Sequence, residues 1–111
     1  MTEDEAREAL LKRQDELAEE DRISGQARAP VTLQQDSVGR LSRMDAMQQQ
    51  AMAQAQERRR AAERTRIAAA LMRLDEGEWG YCLSCGEDIA TKRLAHDPSV
   101  ATCVRCASGE R

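Results

Sequence analysis

Apolar residues return near the start of the chain at intervals of four, three and four: Ala6, Leu10, the slot held by Arg13, and Leu17, with Leu11 alongside. That rhythm brings them to one face of a 3.6-residue helix as a narrow stripe. Thr2-x-x-Glu5 just ahead of it is a capping-box pattern, in which hydroxyl and carboxylate answer the amides a helix start leaves open. A first helix over about 3–23 follows, with Ile23-Ser24-Gly25 as its expected end. Residues 24–36, with Pro30 and no periodicity, read as a connection. From Ser37 to Glu76 there is no Pro, and Gly39 is the lone Gly. This Ala-, Arg- and Gln-rich stretch predicts one long helix over 37–76, roughly 60 Å in length. Two helices joined by a short connection fold back as an antiparallel coiled-coil hairpin occupying residues 1–76.

Within the second helix, Met44, Met47 and Met52 fall near one side with Leu41, Ala51 and Ala55, a pattern read as hairpin seam rather than docking surface. Ile67, Leu71 and Leu74 are the stronger apolar residues. They are expected where the second helix outruns the first, to receive the C-terminal part of the chain with Trp79 as its largest plug.

Composition limits what such a chain can be. Leu, Ile, Val and Phe number 16 of 111 residues, and 18 of the apolar residues are Ala. That share, about 14%, lies below the roughly 20% at which burial alone sustains a fold. A large enzyme core is excluded, and a small module at this length needs a staple. No segment is long and apolar enough to cross a membrane, and the acidic opening does not resemble a secretory signal. The expectation is a soluble, cytoplasmic protein.

The net charge of −3 conceals an asymmetry: −5 over residues 1–23 and +3 over residues 37–76. If the start of the first helix faces the middle of the second, Glu3, Asp4, Glu5 and Glu8 meet Arg58, Arg59, Arg60, Arg64 and Arg66. The arginines then serve the hairpin rather than a nucleic acid. With one Trp and one Tyr, the chain also lacks base-stacking aromatic patterns, so no direct nucleic-acid binding is expected.

Cys82-x2-Cys85 and Cys103-x2-Cys106, separated by 17 residues, form a four-thiolate zinc pattern. Gly86 supplies the positive φ with which a knuckle turns its amides toward sulfur. Two disulfides or a redox dithiol fit poorly in a short cytosolic chain without a βαβ pattern. Four thiolates leave no open position, so the expected ion is a single structural Zn²⁺ within a module over 77–111. His96 reads as solvent-facing. Lys92, Arg93 and Arg105 are read as balancing the negative charge of the site. The fold class is therefore mainly α: an antiparallel two-helix hairpin followed by a small four-cysteine zinc finger. There is no Ser/His/Asp set, phosphate loop or open metal site to support an enzyme.

The assembled residues Gly80-Tyr81-Cys82-x2-Cys85-Gly86-Glu87-x-Ile89, Arg93-Leu94, Pro98 and Thr102-Cys103-x2-Cys106 resemble the four-cysteine zinc finger of the DksA/TraR family over residues 77–108. The hairpin resembles its longer members. The resemblance implies a monomeric bacterial transcription regulator that binds RNA polymerase, its coiled coil entering the secondary channel, often jointly with the alarmone ppGpp. The implied tip contacts here are Asp36, Arg40 and Asp45. Where DksA proteins carry Asp-x-x-Asp-x-Ala, this chain has Asp36, then Gly39 for the second Asp and Leu41 for the Ala, so docking with weakened or altered regulation is expected. The alternative reading is a zinc-stabilised helical adaptor for another protein, without transcriptional activity.

Overall fold

The computed structural model describes residues 1–27 and 40–109. It contains four helices, α1 (Glu3–Ala27), α2 (Arg40–Glu76), α3 (Thr91–His96) and α4 (Val104–Ala107), with no extended strand among the described residues. Thr2 and Glu5 open α1 reciprocally: the Thr2 amide donates to Glu5 Oε1 at 3.0 Å, and the Glu5 amide donates to Thr2 Oγ1 at 3.1 Å. The Thr2 hydrogen bonds also hold the Glu5 carboxyl below its usual range.

The first helix continues through Gly25 to Ala27, beyond the expected end at Ile23. One interior Gly costs only about 1 kcal/mol against Ala, which a helix already running for many residues absorbs. Residues 28–39 lie outside the described part of the chain, and with them most of the expected connection and the first three residues of the expected second helix.

Ala6, Leu10 and Leu17 are buried against Ile67, Ala70 and Leu74, with Leu11 on the outside. Four ion pairs mark the antiparallel register. Arg7 meets Asp75 at 2.8 Å, Arg13 meets Glu63 at 2.7 Å, and Asp21 meets Arg60 at 2.8 Å together with Arg64. The start of α1 therefore lies beside the end of α2, not its middle. Glu3, Asp4, Glu5 and Glu8 are exposed, and it is Asp21 that answers Arg60 and Arg64. Apolar burial explains this register: the stripe on α1 is covered only by sliding it onto residues 67–74, the part of α2 with strong apolar side chains.

With 25 residues in α1 and 37 in α2, α2 outruns its partner at the N-terminal end, opposite to expectation. Met44, Met47 and Met52 there are 59%, 69% and 63% exposed, so they are not hairpin seam.

At its other end α2 closes in a Schellman turn. Gly77, at φ 74°, donates to the Leu74 carbonyl, and the Glu78 amide reaches back to the Arg73 carbonyl at 2.8 Å. The turn returns Trp79 to the hairpin. Trp79, Cys82, Ile89 and Leu94 join the hairpin's buried residues in one cluster, with Leu71 and Val100 packed on it. Trp79 Nε1 donates to the Pro98 carbonyl at 2.9 Å, which satisfies the indole's polar edge inside that cluster.

Candidate metal centre

Two short chain reversals carry the cysteines. In the first, Tyr81 and Asp88 form an isolated antiparallel bridge, framed by Cys82 N–H to Glu87 C=O and Ile89 N–H to Gly80 C=O, both 2.8 Å. Gly86, at φ 77°, donates to the Cys82 carbonyl at 2.9 Å, which tightens the turn around Cys85. A side chain at that φ would be strained, as the sequence suggested. In the second reversal Cys103 precedes α4, and the Ala107 amide donates to its carbonyl at 2.9 Å.

Further hydrogen bonds bring the two reversals together. Leu83 N–H donates to the Ala101 carbonyl at 2.9 Å, and Arg93 Nε donates to the Thr102 carbonyl at 3.0 Å. Ser99 donates to Asp97 Oδ1 through both its amide and its hydroxyl, at 3.0 and 2.6 Å, and so shapes the return of the chain.

The outcome is a cluster in which the Sγ atoms of Cys82, Cys85, Cys103 and Cys106 all lie within 4.8 Å of one another, Cys85 and Cys103 at 3.7 Å. A tetrahedron with Zn–S bonds of about 2.3 Å has S···S edges of about 3.8 Å, so these four residues fit a metal of that size. All four are free thiols rather than disulfides. Cys82 is buried, Cys103 and Cys106 half-buried and Cys85 exposed. Without a metal the sulfurs divide their protons unequally. The backbone amide of Cys103 chiefly draws the Cys82 thiol down to about 6, whereas its hydrogen bond with the Cys103 side chain pushes Cys106 up to about 12. Thiolate character is thus favoured at Cys82 and Cys103, and a cation would supply it at Cys85 and Cys106.

His96, in the last turn of α3, is exposed and outside the sulfur cluster. Arg93 is committed to the Thr102 carbonyl, while Lys92 and Arg105 are exposed. Of the expected tip residues, Asp36 lies outside the described residues, as do Gly39 and Leu41's side chain. Arg40 begins α2, and Asp45 is exposed on it. What the sequence reading missed is the Arg13–Glu63 pair at the junction of hairpin and module. Its signal was the charged residue in the buried stripe of α1, which requires a partner.

No family model matches the chain. Over 41 residues it is 42% identical to the RNA polymerase-binding transcription factor DksA of Haemophilus influenzae, a match covering 37% of this chain and 28% of that relative. Transcription factor DksA2 of Pseudomonas aeruginosa superimposes with a TM-score of 0.75 and 25% identity, over 96% of this chain and 81% of that one. The chain is a DksA-like protein. In this DksA-like chain the helical hairpin and the four-cysteine cluster occur together on one short framework. No described helix is long and apolar enough to cross a membrane.

Proposed function

We propose that the chain is a non-enzymatic transcription regulator that binds RNA polymerase through the secondary channel, hairpin first, with one structural Zn²⁺ held by Cys82, Cys85, Cys103 and Cys106. The observation that carries this reading is the likeness to DksA2 over 96% of the chain, hairpin and module included. The name of the H. influenzae relative supplies the partner class. Bound zinc supplies a cross-link between the two reversals; with four thiolates around it there is no position for substrate, so its contribution is to folding. The chain's own residues then present α2 as a long arm, with Asp36, Arg40 and Asp45 at the end that meets the polymerase.

The test is competition. Immobilised full-length chain should capture core RNA polymerase, and an established secondary-channel factor should displace it. Capture without displacement removes the channel from the reading, and failure to capture polymerase leaves the adaptor reading in its place.

A further inference from the structure

Cys82 is 3% exposed, and its chain neighbours Tyr81 and Leu83 are turned the other way, 47% and 66% exposed. Both line a shallow hollow of about 410 Å³ together with Glu78 and Gly86. A Cβ placed on Gly86 would meet nothing within 4 Å, so the hollow is open on that side. Of the four cysteines only Cys82 borders it, which separates it from the space between the sulfurs.

Neither the core nor the cysteine cluster calls for apolar residues here. The module's buried residues are Trp79, Cys82, Ile89 and Leu94, and Tyr81 and Leu83 are not among them. One exposed apolar side chain is ordinary, whereas two that share a hollow form a patch suited to a partner. The rim is acidic. Glu78 lines the hollow, and Asp88 stands opposite Tyr81 in the bridge as a non-hydrogen-bonded pair, whose side chains project close together from one face. Both carboxylates are exposed, no basic residue lines the hollow, and among the described residues neither carboxylate makes an ion pair.

We propose that this face of the module docks a basic, leucine-bearing segment of a protein partner, an apolar side chain entering between Tyr81 and Leu83 while Lys or Arg beside it faces Glu78 and Asp88. Such a segment matches both parts of the surface, apolar at the centre and cationic at the edge. An acidic segment meets like charge at the rim. The inference concerns the module alone and is independent of the arm's entry into polymerase.

The probe is the peptide acetyl-Leu-Arg-Leu-Arg-amide, titrated into the full chain as purified and followed by amide chemical shifts. Saturable shifts are expected at Tyr81, Leu83 and Gly86. Leu83→Ser should weaken binding about tenfold through lost apolar contact. Glu78→Gln combined with Asp88→Asn should weaken it about fivefold, since an exposed ion pair is worth a factor of up to about five. All three side chains are exposed, so the fold is retained, and unchanged Trp79 fluorescence checks this. Leu11→Ser, which removes an exposed leucine from α1, should change nothing. Peptides with Ser for Leu, or Glu for Arg, should bind at least about fivefold more weakly. Equal binding by the Ser peptide reduces the contact to charge, and equal binding by the Glu peptide reduces it to apolar adhesion; either overturns the proposal. So do shifts that do not saturate, shifts centred on α1, or a Leu11→Ser loss as large as that of Leu83→Ser.

Discussion

Arg13 reaches across the hairpin and grips both carboxylate oxygens of Glu63, Nε to Oε2 at 2.7 Å and Nη2 to Oε1 at 2.9 Å. A two-pronged contact between residues 50 positions apart in sequence sharpens the register that apolar burial sets, because displacement along the axis breaks both bonds at once.

The pair carries a pH dependence. The Arg13 hydrogen bond is the chief cause that lowers the Glu63 pKa, and the Arg60 hydrogen bond that lowers Asp21. A depressed folded-state pKa adds stability above the unfolded value and loses it as pH falls through the folded one. Melting temperature should therefore hold from neutrality down to about pH 4.5 and decline below it. Glu63→Gln should flatten part of that decline while lowering stability by about 1–2 kcal/mol at pH 7. Thermal melts of both proteins from pH 3 to 7 check it.

Removing metal should divide the chain. One zinc per chain is expected by elemental analysis of material purified without chelator. After chelation, residues 77–109 should lose their fixed structure, seen as a change in Trp79 fluorescence, while much of the α1–α2 helicity survives in the far-ultraviolet spectrum. No zinc, or four freely reactive thiols before chelation, contradicts the proposed site.

Arg73, in the last turn of α2, is 8% exposed, and its buried Nη2 has no hydrogen-bond partner among the described residues. Burial lowers its pKa accordingly. Replacement by Met keeps the packing volume and removes the unanswered polar group, so Arg73→Met should leave stability unchanged or raise it by about 1–2 kcal/mol in urea unfolding. A loss above that size means that the guanidinium is answered in solution.

In the sequence, Asp36 and Asp45 are the only carboxylates between Asp21 and Glu57. Asp36→Asn should leave polymerase affinity within about twofold, a change below 0.5 kcal/mol, yet abolish any effect on open-complex lifetime. Gly39→Asp combined with Leu41→Ala should strengthen that effect. Promoter-complex decay assays measure both.

Local rules made much of the molecule readable in advance. Thr2 and Glu5 announce a helix start through a pattern four residues long, and the cysteine spacing announces the cluster because thiolate chemistry admits few arrangements. Register was not readable in the same way. Placing Glu3, Asp4, Glu5 and Glu8 opposite Arg58–Arg66 follows from pairing the two helices directly out of a short connection, whereas burial of Ile67, Ala70 and Leu74 against the α1 stripe decides the register. The end of α1 was misplaced for a related reason: a Gly penalty applies to one residue, and helix propagation applies to all of them.

The 37-residue α2 is also a lever. It is seated at residues 67–74 and unaccompanied by α1 at its far end. From Leu74 to Arg43 the helix runs about 46 Å, so a tilt of about 5° at the seat moves the far end by about 4 Å. A methyl group gained or lost around Leu74 or Trp79 is felt in a close-packed core, and the reach magnifies a tilt of that size into a displacement about as large as the separation of neighbouring Cα atoms. Aim at the distant end is thus set by fit at the near one, and substitutions there act as changes of direction.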